Sequence, residues 1–175
     1  MMGDVDGGQE PVKIVLHMHA PEGTVQLAQM FSDILRCGDV VSLEGDLGAG
    51  KTFFTGAVAR ALGTRDTVTS PTFVLQKIYD LHCERADAPQ RLAHYDTYRL
   101  MDYGEMVDFG FEEMTADSVS FVEWGDRFLG DYPGVVLRVC FEIIDRDSRK
   151  ITLLLPPDRA EEFADAGRHN HKHCH

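Results

Sequence analysis

The chain has 175 residues, of which 43% are hydrophobic, a length and content that suit one domain with a buried core. Its 29 acidic and 17 basic residues give a formal net charge of −12. A polyphosphate backbone repels such a chain on average, which argues against direct, dominant binding to RNA or DNA and leaves room only for a local basic patch.

Cys37, Cys83, Cys140 and Cys174 form no C-x-x-C pair and too sparse a set for a disulfide scaffold. The first eleven residues carry neither the basic nor the apolar region of a signal peptide, and no run approaches membrane-spanning length. A soluble, cytoplasmic protein without a membrane partner is the expectation. Residues 1–11 read as a flexible leader, 12–157 as the folded domain, and 158–175 as a polar, histidine-rich, disordered tail. Alternating histidines with Cys174 in that tail offer ligands to a transition metal, but a polar terminus with no folded role is the preferred reading.

Along the domain, Lys13 to His19 reads as a strand, and Pro21 opens a helix with Leu27, Phe31, Ile34 and Leu35 at helical spacing and Gly38 as its stop. Val40 to Leu43 is a short apolar run, as in a strand covered on both faces. Phe53 to Leu62 reads as a helix ended by Gly63. Pro71 makes Thr69 to Thr72 a loop by driving Ser70 out of the helical region. Strands follow at Phe73 to Tyr79 and Leu92 to Thr97, then a short helical region, Tyr103 to Met114, containing Gly104 and Gly110. Val119 to Trp124 is strand-like. Alternation from Val135 to Ile143, a polar turn at Asp145 to Ser148, and Ile151, Leu153 and Leu155 then mark a hairpin. Crossover helices early and a hairpin late predict an α/β fold with a mixed, mostly parallel central sheet and a C-terminal antiparallel hairpin.

Between the second strand and its helix lies GDLGAGKT, the residues Gly45, Asp46, Leu47, Gly48, Ala49, Gly50, Lys51 and Thr52. It fits G-x-x-x-x-G-K-[ST] in the strand–turn–helix context that gives that pattern meaning: a P-loop NTPase fold. Backbone N–H groups of the turn and helix start cradle phosphates, Lys51 reaches the terminal phosphates, and the Thr52 hydroxyl ligates Mg²⁺. Hydrolysis also needs carboxylates where Mg²⁺ and a water sit. Glu123 and Asp96 end predicted strands, where ligands collect in open α/β sheets, although either could instead cap a neighbouring helix.

GDLGAGKT, SPTF (Ser70 to Phe73), HYDTYRL (His94 to Leu100), EMVDFGFEE (Glu105 to Glu113) and FVEW (Phe121 to Trp124) occur in that order and at those spacings. Together they resemble the TsaE family, also called YjeE, ATPases of bacterial tRNA threonylcarbamoyladenosine synthesis. The resemblance implies an ATP- and Mg²⁺-dependent enzyme working with a TsaB–TsaD complex. It implies a catalytic set of Lys51, Asp96 and Glu123, with Thr52 and Glu123 on the metal and Asp96 positioning or activating water. It also implies Trp124 near the nucleotide and a mobile, switch-like loop at Ser70, Pro71 and Thr72, with Thr72 sensing the γ-phosphate. A structural turn is an alternative for the loop, and a core anchor for Trp124. Glu22, Thr24 and Arg149 are carried over for the base side without a sharp motif, and Phe53 stands where the family often has a second threonine.

Three other functions are open to such a loop. A small-molecule or nucleoside kinase needs an arginine-rich lid, and Arg60, Arg65, Arg85 and Arg91 are scattered. A GTPase needs an N-K-x-D element, and Asn170 is the only asparagine. A nucleotide-gated interaction module with incidental turnover overlaps with the family reading.

Overall fold

A computed structural model describes residues 9–170. Strands β1 (Val12–Met18), β2 (Val40–Glu44), β3 (Gln76–Asp80), β4 (Arg91–Asp96), β5 (Val119–Glu123), β6 (Val136–Ile143) and β7 (Arg149–Leu155) form one sheet in the order β1-β7-β6-β2-β5-β4-β3. β4, β5, β2 and β6 are parallel neighbours. β7 and β3 run the other way, and β1, antiparallel to β7, returns to the direction of the central strands. The sheet is mixed and mostly parallel, with the expected late hairpin, β6 and β7.

The helices are α1 (Pro21–Ser32), α2 (Lys51–Ala61), α3 (Tyr103–Asp108), α4 (Phe111–Ala116) and α5 (Pro157–Asn170). Alternation along β2 sends Val41 and Leu43 into one buried cluster with Phe31 of α1, Phe54 of α2 and Phe163 of α5, and Val40 into another with Met106 and Phe111 of α3 and α4. Helices therefore cover both faces, which is why β2, β4 and β5 are buried along nearly their whole length.

Three boundaries differ from expectation. β3 begins at Gln76 because Phe73 to Leu75 form a turn in which Leu75 takes φ 65°. α1 ends at Ser32, well before Gly38, and Ile34 and Leu35 reach the core from a turn. Gly110, at φ 79°, breaks the Tyr103 to Met114 region into α3 and α4.

The largest correction concerns the tail. Residues 158–170 are not disordered: with Pro157 at its first position they form α5, whose Ala160 and Phe163 are buried against the main core. Arg159 pairs with Asp39 at 2.6 Å between side chains about a tenth exposed, and Arg36 pairs with Glu162. Residues 171–175, with most of the proposed metal-binding histidines and Cys174, lie outside the described residues, as do residues 1–8 of the leader. Among the described residues no helix is long and apolar enough to cross a membrane.

Candidate functional site

The loop from Gly45 to Gly50 leaves the C-terminal end of β2 and enters α2. Gly45 has φ 144°, and a Cβ there would lie 2.6 Å from the Phe141 carbonyl oxygen, so only glycine lets the loop pass over β6. Gly50 caps α2 from the left-handed region without any side-chain hydrogen bond. The first-turn N–H groups of α2 thus have no capping side chain and no acidic neighbour in that turn, the arrangement that attracts an anion.

Lys51 is 5% exposed. Its ammonium donates to the Gly45 carbonyl and lies 4.1 Å from the centroid of the Trp124 ring. Burial pushes its pKa down, against the opposing fields of Glu123, Asp96, Asp46 and Asp126. An anion beside Lys51 would relieve that strain by supplying a nearer counter-charge.

The two carboxylates come from neighbouring parallel strands. Asp96 and Glu123 are register partners at the ends of β4 and β5. The two-residue period puts Glu123 on the face of Phe121, and His94 and Asp96 on the face of Leu92, in the cluster that α2 covers. Glu123 Oε1 accepts from the Thr52 hydroxyl at 2.9 Å and lies 2.9 Å from His94 Nε2. Burial by itself would raise the Glu123 pKa, but hydrogen bonds from His94 and Thr52 and the charge of Lys51 outweigh it and hold the carboxyl below its ordinary range. Asp96 Oδ1 accepts from the Tyr98 N–H at 3.0 Å, and the Asp96 N–H is held by the Leu75 carbonyl at 2.9 Å.

These groups open onto a cleft of about 710 Å³ whose lining includes Leu47, Gly48, Gly50, Lys51, Thr52, Ser70, Thr72, Asp96, Glu123 and Trp124. Its size suits a nucleotide-sized ligand. Trp124 takes φ 63° just after β5, donates its backbone N–H to the Leu43 carbonyl at 3.3 Å, and packs its ring 5.4 Å from that of Tyr98. Ser70 and Thr72 are exposed and joined through their hydroxyls at 2.6 Å. A second cavity of about 230 Å³ lies on the other side of the loop, lined by Thr24, Ala49, Phe53, Phe141, Arg146 and Arg149 among others. Phe53, Gly48 and Gly50 border both spaces, and Arg149 Nε holds the Ala49 carbonyl at 3.1 Å.

The donor set suits Mg²⁺, which takes one or two carboxylates, a hydroxyl, water and substrate phosphates in preference to an all-protein cage. Thr52 Oγ1 and the Glu123 carboxylate supply hard oxygens beside the loop, and among the described residues no cluster of three or more His, Cys, Asp or Glu offers a softer alternative. Gly45, Asp46 and Ala49 do not line the main cleft: Gly45 lies behind it as the acceptor for Lys51, Asp46 is exposed, and Ala49 faces the second cavity. Thr24 and Arg149 reach that second cavity, whereas Glu22 does not line it. Sequence reasoning assigned His94 no role of its own. The available signal was the spacing of His94 and Asp96, which puts both on one face of a strand ending at the loop.

A strand, this glycine loop, an uncapped helix and carboxylates at the adjacent strand ends define a P-loop-type α/β protein. The family model for threonylcarbamoyl adenosine biosynthesis protein TsaE matches residues 18–151. The chain is 37% identical over 142 residues to the tRNA threonylcarbamoyladenosine biosynthesis protein TsaE of Bacillus subtilis, covering 81% of this chain and 85% of that one. It is 43% identical over 102 residues to the protein of the same name from Streptomyces coelicolor, covering 58% and 66%. The solved structure of Bacillus subtilis YdiB superimposes with a TM-score of 0.68 at 30% identity, covering 91% of this chain and 97% of that chain. The chain belongs to the TsaE family.

Proposed function

We propose that the protein is a Mg²⁺-dependent ATPase of tRNA threonylcarbamoyladenosine biosynthesis, slow by itself and stimulated by a TsaB–TsaD-like complex. The observation that carries the reading is the 2.9 Å hydrogen bond from Thr52 to Glu123, which couples the end of the phosphate loop to a carboxylate on the neighbouring strand. Family membership supports the pathway, since the relatives' names place them in that biosynthesis.

In this mechanism the α2 N-terminus and the loop amides receive the β- and γ-phosphates, and Lys51 moves from the Gly45 carbonyl and the Trp124 ring onto them. Thr52 and Glu123 would hold Mg²⁺, which would supply positive charge beside the phosphates. Asp96, with only Oδ1 engaged by the Tyr98 N–H, orients the attacking water with its other oxygen. Thr72 reaches the γ-phosphate from the exposed loop, so that the loop's order follows nucleotide state. The second cavity takes the base, against Phe53 and Arg149. The net negative charge favours action on a protein partner over a direct grip on tRNA.

Reconstitution with TsaB and TsaD tests this. ATP supports sustained modification and releases free phosphate faster than the chain alone, and a non-hydrolysable analogue does not sustain it. Equal modification with the analogue would favour a nucleotide-gated interaction module. A phosphorylated nucleoside product would establish a kinase and overturn the ATPase reading.

A further inference from the structure

His94 is wholly buried at the middle of β4, and its Nδ1 is the one buried side-chain nitrogen or oxygen without a hydrogen-bond partner among the described residues. An imidazole with half its polarity unmet costs stability relative to an apolar side chain of similar size. The other half is spent on one contact, Nε2 to Glu123 Oε1 at 2.9 Å. The ring therefore does nothing for the core that a leucine could not do, and its polar chemistry is directed wholly at Glu123. Because an ionised carboxylate only accepts, Nε2 carries the hydrogen.

Glu123 Oε1 receives two donors, Thr52 Oγ1 and His94 Nε2. Among the described residues Oε2 makes no hydrogen bond, yet it is not a fully buried atom, and Glu123 lines the cleft. Thr52 has a second task, since its hydroxyl oxygen would also meet the cation, whereas His94 has no partner but the carboxylate. We infer that His94 is a positioning residue that locks the Glu123 carboxylate by Oε1 and so presents Oε2 to a divalent cation bound with the nucleotide. This rests on the proposed Mg²⁺–ATP site and adds a determinant of its metal affinity.

Calorimetric titration of the full chain with a non-hydrolysable ATP analogue, in Mg²⁺ and in excess EDTA, gives the ratio of the two affinities and separates metal coupling from nucleotide binding. His94→Leu lowers that ratio about tenfold, the scale of one lost charge-assisted hydrogen bond, and leaves the affinity in EDTA within twofold. His94→Gln, whose amide reaches the place of Nε2, keeps the ratio within threefold of wild type. His94→Asn, whose amide reaches only the place of Nδ1, behaves as His94→Leu and serves in its stead should the leucine variant not fold. Added to Glu123→Ala, His94→Leu causes no further loss, because it acts only through that carboxylate. An unchanged ratio in His94→Leu, an equal loss in Mg²⁺ and EDTA, or additivity with Glu123→Ala would each overturn the inference. Absence of analogue binding by the wild-type chain would instead sink the nucleotide site itself.

Discussion

Replacing Lys51 by alanine deletes the one lysine or arginine that, among the described residues, lines the main cleft with Asp96 and Glu123. At an effective dielectric of about 20, an ammonium about 3 Å from a phosphate oxygen gains roughly 5 kcal/mol. Its burial is already met in the free protein, where Lys51 is 5% exposed, so no full desolvation cost recurs on binding. Two contacts must be surrendered first. The hydrogen bond to the Gly45 carbonyl is worth about 1 kcal/mol and the contact with the Trp124 ring about 1–2 kcal/mol. The remainder, about 2–3 kcal/mol, corresponds to a loss of roughly 30- to 150-fold in ATP and ADP affinity. Calorimetric titration of Lys51→Ala against wild type reads it directly. The same change takes a cation off the only tryptophan, so Trp124 emission of the free variant should shift toward that of nucleotide-bound wild type. A folded Lys51→Ala variant with wild-type affinity would refute the placement of phosphate at this loop.

Other perturbations test the frame around the site. Gly45→Ala puts a Cβ 2.6 Å from the Phe141 carbonyl oxygen at φ 144°; the conformation alone costs about 1–3 kcal/mol, and calorimetry should show a melting temperature several degrees lower. Phe163→Ala removes the side chain that docks α5, 4% exposed, at a cost of about 3–5 kcal/mol; an unchanged melting point would mean that α5 does not hold to the core. Burial pushes the Tyr95 hydroxyl up to about 12, against a hydrogen bond from Gln76 at 2.7 Å and an ordinary value near 10. The neutral phenol favours the folded chain, so this contribution is complete below about pH 10 and is lost as pH rises toward 12. Tyr95→Phe should therefore show a shallower alkaline loss in denaturant unfolding, and an identical profile would contradict the assignment.

What the sequence made legible was local. Gly45 to Thr52 could be read because its residue types have fixed jobs at fixed offsets, and the apolar strands because both sheet faces are covered. α5 was misread because its apolar stripe is narrow, Ala160 and Phe163 amid charged residues, and its strongest anchor, Arg159 to Asp39, joins residues far apart in the chain. Pro157, Asp158 in the first turn and Arg168 in the last were start and stop signals that composition concealed. The β3 boundary failed because Leu75 adopts a positive φ that a leucine does not advertise. His94 escaped notice because its meaning is the register of two strands: only the parallel pairing of β4 with β5 brings it beside Glu123.

In the proposed chemistry ATP is cleaved in this cleft, with Asp96 orienting the attacking water beside Thr52 and Glu123. A single-turnover experiment with γ-labelled ATP, Mg²⁺ and an excess of protein, run on wild type and Asp96→Asn, tests it most directly. Wild type should release free inorganic phosphate, and Asp96→Asn should hold bound, intact ATP and turn it over at least about 100-fold more slowly, the scale of a lost general base. Equal rates in the two proteins, or ATP left intact by both with and without the TsaB–TsaD complex, would contradict it.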